Sequence, residues 1–284
     1  MDNIRGLFPG VFTMGNLFCG FLAIISSVNR QDPSEAAWLI LLAVFLDMMD
    51  GWVARLSGSV TRFGVELDSL ADLVSFGVAP AVLLYVNPLS SLGNWGWILG
   101  FIYIIAAAFR LARFNLQSDR EKSRYFMGLP APAAAVALAG YVIFSIHVWG
   151  DVRFNEVIIM LMIGSSLLMV STIRYDSNVS FSFRGGENAL QFTLFLLSAL
   201  AIAFRPRIAI FGVAVLYILY GLIREGISLT AQRKKTAPDS DHAQHHSGNN
   251  SINNNNRISG EDFTDGKSLR FPETGRRRSS GEDH

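Results

Sequence analysis

Through residue 230 the chain alternates long apolar runs with short polar connections. A helix needs about 20 mostly apolar residues to cross the hydrocarbon core of a bilayer. Runs of this kind lie near 11–29, 36–57, 61–86, 95–117, 131–149, 155–173, 189–204 and 208–229, the seventh being short for a span. The pattern predicts an all-α integral membrane protein. Residues 2–8 form a short amphipathic segment suited to the membrane surface. The first span lacks a small-residue cleavage site, so it is expected to be retained. Beyond residue 230 the pattern stops. Residues 231–284 carry nine Lys/Arg and eight Asp/Glu, with few apolar side chains beyond Ile252, Ile258, Phe263, Leu269 and Phe271. Such a segment buries too little surface to offset its ordering entropy. The expected organisation is a transmembrane unit, 1–230, and a disordered polar tail, 231–284.

Composition narrows the class further. Of 284 residues, 50% are hydrophobic and only 17% are charged, against about 25% in soluble domains. The net charge of +1 offers no basic surface for nucleic acid. A single cysteine, Cys19, excludes an intrachain disulfide and a cysteine-built metal site. With the N-terminus inside, the inner connections receive Arg55, Arg62, Arg113, Arg120, Lys122, Arg124, Arg174 and Arg184, and the outer ones Arg30, Arg153, Arg205 and Arg207. That asymmetry predicts both termini in the cytoplasm. No internal repeat supports a transporter built from inverted halves.

One stretch breaks the hydropathy pattern: LDMMDGWVARLSGSVTRFGVELDSLADLVSFG. Asp47, Asp50, Asp68 and Asp72 lie at or inside the ends of two spans, where acidic residues are costly and usually functional. Asp47, Asp50, Gly51, Ala54 and Arg55 share one helix face, and so do Gly64, Asp68 and Asp72. A short connection around Gly58 predicts an antiparallel hairpin on which the acidic faces meet. At 4 Å and an effective dielectric of 20, each close carboxylate pair costs roughly 4 kcal/mol. An all-oxygen donor set of this kind suits Mg²⁺ or Mn²⁺. Gly51, Ala54 and Gly64 leave room for a bulky ligand. The residues therefore predict a divalent-metal site for a pyrophosphate at the cytoplasmic membrane surface. A cation path lined by aspartates is the rival from another class, but it would need acidic residues on several spans.

The series Asp47-x2-Asp50-Gly51-x2-Ala54-Arg55-x8-Gly64-x3-Asp68-x3-Asp72 resembles the signature of the CDP-alcohol phosphatidyltransferases, with every fixed position at the family's spacing. The resemblance covers about residues 8–175. It implies a six-helix core, a homodimer, and exchange of CMP on a CDP-linked lipid for an alcohol. Two further helices, about 189–229, extend that core. By position, the resemblance implies that Asp47, Asp50 and Asp68 bind metal and that Asp72 is the base and a further ligand. Gly51, Ala54, Arg55 and Gly64 correspond to nucleotide and phosphate contacts, and Asn16 and Thr61 to the cytidine pocket.

Three segments resemble the phosphatidylserine synthase branch of that family: 71–76 (ADLVSF), 109–115 (FRLARFN) and 128–135 (GLPAPAAA), with Ala131 where serine is expected. They imply CDP-diacylglycerol and L-serine as substrates, with Arg110, Arg113 and Asn115 as candidates for the acceptor site. A guanidinium matches a carboxylate bidentately, and serine has a carboxylate. Glycerol 3-phosphate, inositol phosphate and choline are the alternative acceptors. Elsewhere, Trp38, Trp95, Trp97 and Trp149 read as interfacial anchors, Cys19, Met48 and Met49 as packing residues, and Glu66 as a solvent-facing or structural partner.

Overall fold

The computed structural model describes residues 7–30, 32–57, 61–118, 125–171, 174–176 and 196–236. The amphipathic segment 2–8 lies mostly outside them, as do the connection at 58–60 and the tail from 237 onward. The first helix, α1 (Leu7–Ile25), ends in a π-helical turn, Ser26–Arg30. Asp32 accepts the backbone N–H groups of Ser34 and Glu35 and so starts α2 (Pro33–Ser57). Next comes α3 (Arg62–Asp72), which continues without a break through a π-helical turn, Leu73–Val78, into α4 (Ala79–Val86). Then follow α5 (Asn94–Ser118), α6 (Ala131–Trp149), α7 (Asn155–Val170), α8 (196–204) and α9 (Pro206–Thr236). Two three-residue strands, β1 (Tyr125–Met127) and β2 (Arg174–Asp176), pair antiparallel and bring the connections after α5 and α7 together.

Among the described residues, six helical stretches are long and apolar enough to cross a membrane: Gly10–Asn29, Pro33–Ala54, Arg62–Val86, Asn94–Leu116, Ala131–Trp149 and Pro206–Ile223. Their outward faces carry exposed apolar side chains such as Phe63, Leu70, Trp95, Phe101, Phe109 and Leu216. Water would penalise such a surface; lipid does not. Met48, expected to pack, belongs to this exposed set at 57%.

The expected span at 155–173 is shorter than its sequence suggested. α7 has 16 residues, about 24 Å at 1.5 Å per residue, against a hydrocarbon core of about 30 Å. Of the expected span at 189–204, the described part is α8. α9 runs past residue 230 to Thr236.

The centre of the bundle is α6. Ala131, Ala134, Ala135, Ala137, Ala139 and Gly140 are all buried. Small side chains let neighbouring backbones approach closely, and α6 packs against α2, α7 and α9. α1 packs along α2 on one side and against α3 and its π turn on the other. It therefore contacts both acid-bearing helices.

Candidate active site

Asp47 and Asp50 lie one turn apart near the end of α2, and Asp68 and Asp72 one turn apart in α3. The helical spacing puts each pair on one face, and the fold turns the two faces toward each other. One carboxylate oxygen from each of Asp47, Asp50 and Asp68 lies within 4.8 Å of the other two. Asp72 stands outside this triad. Asp50 and Asp72 are buried, at 6% and 7% exposure.

The donor set fits a hard divalent cation. It is all oxygen, anionic and convergent, and Oδ1 of Asp68 is buried with no hydrogen-bond partner among the described residues. A buried carboxylate oxygen without a partner carries a desolvation cost that a cation would offset. Space is present as well: a Cβ added at Gly51 would meet nothing within 4 Å. At Gly64 an added Cβ would come within 3.0 Å of Thr61 Oγ1. That hydroxyl caps α3 by accepting the Gly64 N–H at 3.0 Å. Thr61 thus starts the helix that carries Asp68 and Asp72. Ala54 is half-buried in the last turns of α2. Arg55 belongs to α2, and its side chain lies outside the described residues.

α1 supplies two side chains to the carboxylates. Thr13 donates its hydroxyl hydrogen to Asp50 Oδ2 at 2.7 Å, and Asn16 donates from Nδ2 to Asp72 Oδ1 at 3.0 Å. Both donors are buried, Asn16 completely. Sequence reasoning placed Asn16 in a cytidine pocket and missed Thr13. The signal was available: two polar residues three apart in an otherwise apolar run share a helix face.

The register of α1 is fixed one turn beyond Asn16. Gly20 lies so close to Ser75 that a Cβ there would come within 2.7 Å of Ser75 Cα. Ser75 Oγ donates to the Asn16 carbonyl at 2.9 Å, and Tyr103 from α5 donates to the Phe76 carbonyl at 3.0 Å. A π turn leaves carbonyls poorly paired within its own helix, and such turns recur at functional sites. Here Tyr103 serves one of them.

The three acceptor-site candidates on α5 separate. Arg110 is half-buried above the Phe114 ring, 5.9 Å from its centroid. Its charge lies within electrostatic reach of Asp72 and Asp47, and of Tyr217 on α9. Tyr217 shares the α9 stripe of Ala214, Ile218 and Gly221. Arg113 donates to the carbonyls of Met169, Val170 and Ser171 at 3.0–3.1 Å and so caps the end of α7. Asn115 exchanges hydrogen bonds with Ser69 and donates to Glu66, tying α5 to α3. Glu66 is therefore a structural partner, one of the two roles its position suggested.

Residues 7–170 match the family model described as CDP-alcohol phosphatidyltransferase. A Helicobacter pylori (strain 26695) protein named CDP-diacylglycerol–serine O-phosphatidyltransferase is 34% identical over 220 residues, covering 77% of this chain and 90% of that one. A Methanocaldococcus jannaschii protein of the same name is 36% identical over 213 residues, 75% of this chain and 90% of its own. An archaetidylserine synthase from Methanothermobacter thermautotrophicus is 36% identical over 172 residues, 59% of this chain and 68% of its own. Full motif, convergent carboxylates and matches over most of the chain agree, and the chain belongs to the CDP-alcohol phosphatidyltransferase family.

Proposed function

We propose that this membrane enzyme transfers the phosphatidyl group of CDP-diacylglycerol to L-serine, giving phosphatidylserine and CMP. The observation that carries the reading is the juxtaposition of three functions in one cleft. A carboxylate triad can bind a cation, a fourth carboxylate adjoins it beside Asp47, and an arginine lies within electrostatic reach of that fourth group. Relatives that bear the serine transferase name over 90% of their length support the same acceptor.

Asp47, Asp50 and Asp68 would hold Mn²⁺ or Mg²⁺, with Asp72 as a further ligand. When bound, the ion neutralises pyrophosphate charge and acts as a Lewis acid. The chain's own residues do the rest. Gly51, Ala54 and Gly64 give the nucleotide and its phosphates room against the helix backbones, and Arg55 supplies a positive charge for the departing CMP. Arg110 binds the serine carboxylate and so orients the hydroxyl. Asp72 accepts the hydroxyl proton as the serine oxygen bonds to the β-phosphorus and the bond from that phosphorus to the CMP oxygen breaks. Proton, leaving group and charge are accounted for without a covalent enzyme intermediate.

In this reading the six-helix family core is extended by two C-terminal membrane helices. The protein works as a homodimer in the cell membrane, with both termini and the carboxylates on the cytoplasmic side and the tail in the cytoplasm. The test is one assay on purified protein with CDP-diacylglycerol and Mn²⁺ or Mg²⁺. L-serine is compared with glycerol 3-phosphate, inositol phosphate and choline. Serine should give the fastest CMP release, and excess EDTA should stop it. A better rate with another alcohol would overturn the acceptor, and full turnover in EDTA would overturn the metal.

A further inference from the structure

The bond between Asn16 and Asp72 has a consequence for turnover. Asn16 is fully buried, its Nδ2 donates to Asp72 Oδ1 at 3.0 Å, and its own Oδ1 has no hydrogen-bond partner among the described residues. A buried amide with one half unsatisfied is costly, so the half that is satisfied has to matter. The side chain also has little freedom to choose another partner. Its backbone carbonyl accepts from Ser75, and the Gly20–Ser75 approach sets the height of α1 against the π turn that follows Asp72.

We infer that Asn16 is a positioning residue for Asp72: by pinning Oδ1 of that carboxylate it sets the plane and rotamer in which the group meets the acceptor hydroxyl. This deepens the proposed transferase reading and rests on Asp72 being the base. It departs from a cytidine-pocket role for Asn16, because the donor of the amide is directed at the carboxylate. A carboxylate held by one oxygen keeps the other at a fixed position, so the attacking hydroxyl does not have to wait for a rotamer. α1 thus contributes to chemistry without touching substrate.

The experiment is a double-mutant cycle on the full-length enzyme in detergent, with CDP-diacylglycerol and L-serine. Asn16→Ala should lower kcat on the order of 10–100-fold, as loss of an orienting partner does in comparable sites. Apparent KM for both substrates should stay within about twofold of the parent. Asp72→Asn should lower kcat by about 10²–10⁴-fold. Adding Asn16→Ala to Asp72→Asn should cost little more, because the residue acts through a carboxylate that is no longer there. Thermal midpoints of the four proteins, measured alongside, separate a folding defect from a positioning one.

An additive cycle overturns the proposal, since Asn16 would then act independently of Asp72. A raised CDP-diacylglycerol KM with kcat preserved overturns it in favour of the cytidine pocket. A kcat loss accounted for by unfolded protein overturns it in favour of a structural role. Near-normal turnover of Asp72→Asn alone removes the base assignment and the proposal with it, an outcome visible before Asn16 is altered.

Discussion

In α1 and the turn after α3, buried Thr13, Asn16 and Ser75 hydrogen-bond across helices, two of them to aspartates. In α6 and α7, buried Ser145 and Ser166 bond nearer home. Ser166 donates to Met162 one turn back; Ser145 donates to the Asp151 carbonyl and accepts the Arg153 N–H, closing the α6–α7 connection. Both regions are apolar in composition and buried to similar depth. What separates them is where the polar groups lead. In the second region each side chain bonds nearby backbone, and only Ser145 serves groups outside a regular helix. In the first, two donors are committed to carboxylates whose mutual repulsion works against folding. Polar groups that stabilise an otherwise unfavourable cluster identify the region where function sets the design.

The largest break in the comparison should come from Asp68, whose Oδ1 has no hydrogen-bond partner among the described residues. Asp68→Asn keeps the shape and removes the anionic charge. Losing about 3 kcal/mol of transition-state charge stabilisation corresponds to a rate on the order of 100-fold lower. Initial rates at saturating Mn²⁺ or Mg²⁺ would show this, while the thermal midpoint should hold or rise as repulsion is relieved. Retention of full rate would mean that the triad is not a metal site.

Two glycines set the regions against each other. Gly20 faces Ser75 at the site, and Gly140 faces Ile210 and Phe211 at the α6–α9 contact, with a projected Cβ 3.1 Å from Ile210 Cγ2. Alanine at either position overpacks, at a cost of about 1–3 kcal/mol. Backbone comes closer at Gly20, with Ser75 Cα at 2.7 Å against Phe211 N at 3.2 Å for Gly140, so α1 must shift and carry Asn16 off Asp72. Gly20→Ala should lower turnover per folded molecule about tenfold or more. Gly140→Ala should lower the thermal midpoint and leave turnover per folded molecule near the parent value. Equal losses of turnover would dissolve the distinction between site and scaffold.

The arginines of α5 make the same comparison within one helix. Arg110→Ala should raise the serine KM about tenfold, the worth of a charge-assisted bond, with the CDP-diacylglycerol KM unchanged. Arg113→Ala removes the donor to three carbonyls at the end of α7. It should cost about 1.5–3 kcal/mol of stability and leave the serine KM alone. A thermal melt and a serine titration on both variants separate the two outcomes.

Much of this arrangement was legible in the sequence because membrane spans and carboxylate spacing are local signals. The runs that became α1, α2, α5 and α6 needed only length and hydropathy, and Asp47, Asp50, Asp68 and Asp72 needed only helical periodicity. Two features were not local. The register of α1 depends on Gly20 meeting Ser75, a contact between residues 55 positions apart that neither residue announces. Without it Asn16 and Thr13 are two polar residues in an apolar run, and their partners cannot be named. Arg113 and Asn115 looked alike to Arg110 because all three are polar residues near one helix end. Only the packing of α3 and α7 against α5 shows that Asn115 and Arg113 also make helix contacts, and that Arg110 lies within electrostatic reach of Asp72 and Asp47. α7 read as a span because Ile173 and two uncharged residues, Ser171 and Thr172, follow Val170, where the helix stops.

The smallest effect tests the opening comparison most directly, because it changes one hydroxyl in each region. Thr13→Val is close to isosteric and removes the 2.7 Å bond to Asp50. Asp50 would keep its charge but lose the donor that fixes one of its oxygens, and orienting partners of this kind typically change metal affinity or activity by 10–100-fold. Asp47 and Asp68 still converge on the same point, so the low end is expected: about a tenfold rise in the Mn²⁺ or Mg²⁺ concentration needed for half-maximal rate, with the rate at saturating metal largely restored. Ser145→Ala is the matched change in α6. It leaves the Asp151 carbonyl and Arg153 N–H without their side-chain partner and should cost about 1–3 kcal/mol of stability, with the metal requirement unmoved. If Thr13→Val shifts only the melting temperature, its bond to Asp50 is scaffold like that of Ser145. The functional region would then shrink to the carboxylates and Asn16.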